Sequence, residues 1–144
     1  QEKAAAAMNA EMRREIATWS DNEKDRALTA LYYANSYTSG GNTLASEIVR
    51  GAGLENLGDR LGYNGTTRLP LELLVTGQPE LLVKGRRFGR TKSRSTEVLD
   101  HPALKAATAS SARALLSDRY WICGAPFTLQ AVRNLANAAR QDPR

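Results

Sequence analysis

Short apolar segments alternate with segments of helical periodicity along this chain, and this alternation limits the folds that the chain can adopt. Apolar and aromatic residues predict buried strands at three places, ALTALYYA (27–34), ELLVKG (80–85) and RALLSDRYWICG (113–124). Helices are predicted between and after them, at LASEIVRGAG (44–53), LPLELLVTG (69–77), STEVLDHPALKAATASSA (95–112) and FTLQAVRNLANAAR (127–140). Crossovers of this length permit parallel pairing. We therefore expect an α/β fold, a Rossmann-like three-layer lobe with a mostly parallel sheet.

Proline and glycine mark several boundaries. Pro70 suits the first turn of a helix, because a helix makes no use of the N–H that proline lacks, and Gly77 closes that helix. His101, beside Pro102, is expected to begin a surface helix. Residues 35–43 are predicted to form a flexible turn and residues 53–67 to be largely irregular, with a short helical or extended piece.

The first 19 residues predict an amphipathic helix. Their apolar side chains recur at steps of three and four residues, at Ala7, Met8, Met12, Ile16 and Trp19. The composition is typical of the middle of a long helix, so we expect that upstream sequence has been removed. The remaining residues, 20–144, have the length of one α/β domain with a single core.

Charge and composition exclude several function classes. The net charge of +5 favours an anionic partner. Cys123 is the single cysteine and His101 the single histidine, so no disulfide framework and no Cys/His zinc site can be assembled. No apolar run approaches the roughly 20 residues that span a bilayer, so stable membrane insertion is not expected. No Ser/His/Asp set or paired acidic motif stands out, and we do not expect an enzyme.

A basic loop follows the second predicted strand. It carries four arginines and a lysine around Phe88, namely Arg86, Arg87, Arg90, Lys92 and Arg94. Ligands collect beyond the carboxyl ends of strands in open α/β sheets, and arginine offers planar, paired donors to anionic oxygens. The alternative is a solvated basic loop. Tyr37 and Trp121 lie near turns and are further candidates for ligand contact.

The loop SYTSGGNT (36–43) between the first strand and its helix permits two interpretations. Free N–H groups and a helix amino terminus could cradle an anion there. The loop lacks the lysine of a Walker motif and a full GxGxxG, so Gly40 and Gly41 could equally form a tight turn.

The order of these segments resembles one protein family over essentially the whole chain. ALTALYYANSYTSGGNTLASEIVRGAGLENL, LPLELLVTGQPELLVKG and RYWICGAPFTLQAVRNLANA are similar to successive parts of the C-terminal lobe of substrate-binding proteins that deliver ferric siderophores, haem or cobalamin to bacterial ABC importers. Residues 1–19 resemble the end of the helix that joins the two lobes of that family. The family's N-terminal lobe is absent from these residues. The basic loop and LLSDRYW depart from the family's pattern, which leaves the ligand open.

The resemblance implies an extracytoplasmic solute-binding protein without catalytic activity or a cofactor. Its ligand would be a metal chelate, by the basic loop an anionic ferric siderophore, with haem and cobalamin left open. Tyr37, Arg86, Arg87, Arg90 and Trp121 would contact this ligand.

The same resemblance implies the protein's partners and its location. Glu72 would dock on the permease of an ABC transporter, as the matching glutamate of the family does. The other partner would be the N-terminal lobe, and nucleic acid is not expected. The location would be the periplasm, or the cell surface as a lipoprotein in a Gram-positive source. The alternatives are a small Rossmann-like nucleotide-binding enzyme domain that uses SGGNT, and a basic nucleic-acid-binding module.

Overall fold

A four-stranded, wholly parallel sheet forms the centre of the chain. The computed structural model describes residues 2–20, 26–86, 94–117, 120, 124 and 127–141. Its strands are β1 (Leu28–Tyr32), β2 (Tyr37–Ser39), β3 (Glu55–Asn56), β4 (Thr66–Arg68), β5 (Leu81–Arg86) and β6 (Ala112–Ser117). The parallel sheet has the order β3-β1-β5-β6. The parallel α/β fold expected from the sequence is thus confirmed.

Helices connect the strands as the periodicity predicts. They are α1 (Glu2–Ser20), α2 (Leu44–Gly51), α3 (Leu57–Arg60), α4 (Leu71–Gly77), α5 (Arg94–Glu97), α6 (Pro102–Ala107) and α7 (Thr128–Arg140), with 3₁₀ turns at Ala34–Ser36 and Val98–Asp100. Pro70 immediately precedes α4, and the side chain of His101 caps α6 by accepting a hydrogen bond from the Ala103 N–H. The helix starts predicted at Pro70 and at Pro102 are therefore confirmed. Among the described residues, no helix combines the length and apolar character needed to cross a bilayer.

Two apolar cores, one on each face of the sheet, give the domain three layers. Every residue of β1 is buried, as expected for a strand covered on both sides. Leu31 and Val83 pack with α2 and α7, whereas Tyr32 and Leu82 pack with α4 and α6 on the opposite face. The alternation follows from the two-residue period of a strand.

Helix α1 packs on the domain through its second half only. Glu15 forms a salt bridge with Arg133 of α7, and the guanidinium of Arg140 lies 4.3 Å from the ring centroid of Trp19. Residues 2–9 are all exposed, and Met8 retains 44% of its accessible surface. The helix is thus confirmed, but half of its length has no contact surface on this domain.

A second, two-stranded sheet was not expected from the sequence. Strands β2 and β4 pair antiparallel, with Tyr37 opposite Arg68 and Ser39 opposite Thr66. The predictions of a flexible turn over 35–43 and of irregular structure through residue 67 are therefore wrong at these positions. Each strand has three residues and β4 is polar, so neither carries the apolar alternation that marks a strand.

Candidate ligand-binding edge

The strand order places a topological switch point at the carboxyl ends of β1 and β5. From β1 the chain crosses to β3 on one side and then returns to β5 on the other side of β1. The connections from β1 and from β5 therefore lead to strands on opposite sides of this pair. Such a switch point is where open α/β sheets bind ligands.

The connections that follow β1 and β5 meet at this edge. The 3₁₀ turn Ala34–Ser36, directly after β1, packs against α5 and the 3₁₀ turn Val98–Asp100, which belong to the crossover from β5. Tyr32, the last residue of β1, lies opposite Lys84, so β5 continues for two residues beyond the end of β1. Arg86 therefore ends β5 level with the loop that leads to Tyr37.

The loop after β1 is held in a constrained conformation. Asn35 and Ser36 both have positive φ angles, 56° and 61°, which side-chain-bearing residues seldom adopt. Two backbone hydrogen bonds hold the loop, from the Tyr33 N–H to the Tyr37 carbonyl at 2.8 Å and from the Leu69 N–H to the Ser36 carbonyl at 2.8 Å. Together they fix the direction in which the backbone enters β2.

Tyr37 and Arg68 form a cation–π pair at the end of the β2–β4 sheet. Tyr37 is 36% exposed and Arg68 is exposed. The guanidinium carbon of Arg68 lies 5.8 Å from the centroid of the Tyr37 ring, within the range of a cation–π contact. Tyr37 is predicted as a ligand contact from the sequence, and Arg68 is not. The two residues are 31 positions apart, and no local pattern signals that they are neighbours.

Lys84 adds a positive charge to β5 near the same edge. Its ammonium group donates a hydrogen bond of 2.8 Å to the Leu99 carbonyl. Burial lowers the pKa of Lys84 below its ordinary value, and the nearby charge of Arg113 acts in the same direction. An anion bound nearby would offset the free-energy cost of charging the Lys84 amine.

The glycines of SYTSGGNT are used in packing. The N–H groups of Gly40 and Gly41 donate to the carbonyls of Gly65 and Tyr63, at 2.9 and 2.8 Å. Thr43 caps α2 by accepting a hydrogen bond from the Ser46 N–H. These bonds support the tight-turn interpretation, because the two glycine N–H groups that an anion cradle would use are directed at protein carbonyls.

Glu72 lies in the first turn of α4 and is exposed. The helix starts at the carboxyl edge of the sheet, since the Leu69 N–H is bonded to the loop after β1. Within residues 2–20, 26–86, 94–117 and 127–141, no salt bridge engages the Glu72 carboxylate.

The other predicted ligand contacts are not placed. Arg87, Arg90 and Trp121 lie outside the described residues, and for Arg86 only the backbone position at the end of β5 is described. The described part of the chain contains no group of three or more His, Cys, Asp and Glu side chains that could hold a metal ion.

Comparison with known proteins gives similarity in structure but not in sequence. No family model and no curated protein matches the chain. An Fe3+-hydroxamate ABC-type transport protein of Saccharomonospora viridis superposes over 93% of this chain and 48% of its own, with a TM-score of 0.71 and 18% identity. A periplasmic haem-binding protein of Vibrio cholerae covers 94% and 56%, with a TM-score of 0.71 and 14% identity. The periplasmic vitamin B12-binding protein of the same species covers 96% and 53%, at a TM-score of 0.64 and 16% identity.

The similarity to these three proteins covers only part of their length. The chain spans about half of the length of each of them. At these identities the likeness concerns the fold. The chain thus has the fold of one lobe of the periplasmic binding proteins of ABC transport systems, and the resemblance inferred from the sequence is confirmed for the fold.

Proposed function

We propose that this chain is the C-terminal lobe of an extracytoplasmic solute-binding protein that captures a metal chelate and delivers it to an ABC importer. The observation that carries the proposal is the match of nearly the whole chain to binding proteins for a ferric hydroxamate, haem and vitamin B12. The edge of the sheet at the carboxyl ends of β1 and β5, where the strand order reverses, would form one wall of the ligand cleft. An extracytoplasmic location follows from the same proposal, in the periplasm or on the surface of a Gram-positive cell.

An anionic ferric siderophore is the ligand that this edge favours. Arg86 ends β5 at the carboxyl edge of the sheet, Lys84 lies two residues before it, and Arg68, 5.8 Å from the Tyr37 ring, is exposed. Arginine and lysine donors suit the oxygens of catecholate, carboxylate and hydroxamate groups. The chelate is cargo rather than a cofactor, and haem or a corrinoid are the other outcomes of a binding screen.

The exposed half of α1 supports the two-lobed arrangement. We propose that α1 is the end of the helix that joins the lobes, because residues 2–9 find no packing surface on this domain. An N-terminal lobe would supply that surface and the second wall of the cleft. The nucleotide-binding alternative is less favoured, since the Gly40 and Gly41 N–H groups are bonded to carbonyls.

Removal of three arginines from the basic loop tests the ligand assignment. We expect Arg86→Ala, Arg87→Ala and Arg90→Ala, combined in the full-length gene product, to weaken binding of a ferric tris-catecholate. A single charge-assisted contact contributes about 1.5–3 kcal/mol, so the affinity should fall at least tenfold. Quenching of intrinsic fluorescence measures the dissociation constant.

The matched control for that variant removes the same charge elsewhere. Arg13→Ala, Arg14→Ala and Arg60→Ala change three arginines on α1 and α3, none of which belongs to the basic loop. The control should bind the catecholate as the wild type does. Equal affinities of the loop variant and the wild type would show that the basic loop is only a solvated surface.

The 144-residue chain by itself should fold but bind poorly. Residues of this chain form a four-stranded sheet with an apolar core on each face, so cooperative unfolding is expected. A cleft with one wall loses about half of its contacts and the enclosure that excludes water. Calorimetric titration of the chain with the ferric tris-catecholate should therefore give an affinity at least tenfold below that of the full-length gene product. Binding of equal strength would contradict the two-lobed proposal.

A further inference from the structure

Asn64 is the only asparagine of this chain that a glycine follows. The backbone nitrogen after an asparagine can attack the side-chain amide of that asparagine, and a following glycine favours the attack because it has no Cβ to crowd the ring that forms. Asn64 is exposed, and a Cβ built at Gly65, which has a φ of +70°, would meet nothing within 4 Å. Solvent therefore reaches the Asn64 amide, and no side chain at position 65 obstructs ring closure.

The two groups that would react are both hydrogen-bonded in the folded protein. The Gly65 N–H donates to the Gly41 carbonyl at 2.8 Å, and the Gly65 carbonyl accepts from the Gly40 N–H at 2.9 Å. The Asn64 side chain is held as well, since its Oδ1 accepts a hydrogen bond of 3.3 Å from Asn42 Nδ2. The Gly65 nitrogen and the Asn64 amide must leave these hydrogen bonds before they can combine, which requires a local opening of the fold.

We propose that Asn64 is a site of spontaneous deamidation, and that the pairing of residues 40–42 with residues 64–65 controls the rate. When this pairing opens, the Gly65 nitrogen gives its proton to a base in solvent and attacks Cγ of Asn64. The side-chain nitrogen of Asn64 leaves as ammonia, and a succinimide ring remains. Water then opens the ring at one of its two carbonyl carbons and leaves aspartate or isoaspartate at position 64. Water is the only co-reactant that is consumed.

The products weaken the pairing that controls their formation. Both carry a negative charge at position 64, and the Oδ1 atoms of Asn64 and Asp59 lie 3.0 and 3.6 Å from the point that a Cβ of Gly41 would occupy. Two negative charges around this point repel each other. Isoaspartate also inserts a methylene group into the backbone, which displaces Gly65 from the Gly41 carbonyl. The inference goes beyond the proposed function and does not depend on it.

Mass spectrometry of the full-length gene product tests the proposal. The protein is incubated in a mildly alkaline buffer, with and without guanidinium chloride, and peptides are analysed over time for replacement of an amide by a carboxyl group. In guanidinium chloride, Asn64 should react faster than Asn35 and Asn42, which serine and threonine follow. In the native protein the Asn64 rate should be at least about tenfold lower, because only the open fraction of molecules reacts.

Two variants separate control by the fold from the chemistry itself. Asn42→Gly removes the hydrogen bond to Asn64 Oδ1, while glycine suits the φ of 58° at position 42. It should raise the native rate about twofold to tenfold and leave the rate in guanidinium chloride unchanged. Asn64→Gln keeps the amide on a longer side chain, which disfavours ring closure, and should give no carboxyl product at position 64 over the same period.

Two results would overturn the inference. Equal rates at Asn64 in native and denatured protein would show that the pairing does not control the reaction. Equal rates at Asn64, Asn35 and Asn42 in guanidinium chloride would show that Asn64 is not a distinct modification site. Neither result bears on chelate binding, because the measured mass does not depend on a ligand, so the failure of this inference and that of the proposed function are distinguishable.

Discussion

Glu72→Arg is expected to abolish uptake of the chelate by cells while the dissociation constant of the ligand stays within about twofold. Glu72 is exposed in the first turn of α4 and has no salt bridge among the described residues. The resemblance to the family implies that it pairs with an arginine of the permease. Reversal would place two positive charges together, and such a contact costs several kcal/mol, or more than about a hundredfold in docking affinity. Leu73, 38% exposed beside it, would supply apolar contact to the same surface.

Two measurements check this expectation. Transport of a radiolabelled ferric chelate is followed in cells of the source organism that carry the substitution, and fluorescence titration gives ligand affinity for the purified variant. Glu47→Arg is the matched control, because Glu47 is an exposed first-turn glutamate of α2, on the opposite face of the sheet. Its salt bridge with Arg50 is a surface pair, which contributes at most about 1 kcal/mol. Normal uptake by the Glu72 variant would show that this residue does not dock.

Gly40→Ala is expected to lower the free energy of unfolding substantially, which is the second large effect. A Cβ atom at position 40 would lie 2.1 Å from the carbonyl oxygen of Tyr63 and 2.6 Å from its carbonyl carbon. Backbone atoms cannot rotate away as a side chain can, so the β2–β4 sheet and the loop between Gly62 and Gly65 must shift. Overpacking of this kind costs about 3 kcal/mol or more. The midpoint of thermal unfolding, followed by circular dichroism, should fall by about 10 °C.

Other glycines provide graded controls for this variant. A Cβ at Gly124 meets nothing within 4 Å, so Gly124→Ala should leave the midpoint unchanged. Gly65 also has open space but a φ of +70°, so Gly65→Ala should cost only about 1–2 kcal/mol through its backbone conformation. If Gly40→Ala had the same midpoint of thermal unfolding as Gly124→Ala, the close approach of residues 40 and 63 would not stabilise the fold.

The elements predicted correctly are those with a local physical cause. Pro70 lacks an N–H and immediately precedes α4, and the side chain of His101 caps α6, which begins at Pro102. The apolar runs around β1 and β5 are buried on both faces, which gave them continuous hydrophobic character in the sequence. The strand predicted over 113–124 is found at Ala112–Ser117, and most of the following residues lie outside the described ranges.

The candidate site could be predicted from the sequence only in part. Tyr37 and the basic loop could be selected because each follows a predicted strand, and ligands bind beyond strand ends. The sequence did not distinguish between an anion cradle and a tight turn at Gly40 and Gly41. The distinguishing fact is that their N–H groups meet the carbonyls of Gly65 and Tyr63, more than 20 residues away.

By itself, then, the sequence determined the α/β class, the positions of the long helices and the two buried central strands, since periodicity and capping act over a few neighbouring residues. Only the tertiary structure decided the order β3-β1-β5-β6, and with it the switch point between β1 and β5. It also decided the pairing of Tyr37 with Arg68, and the requirement for glycine at position 40. These features depend on backbone segments that are distant in the chain and approach one another only after the sheet has formed, so no local pattern of residues encodes them.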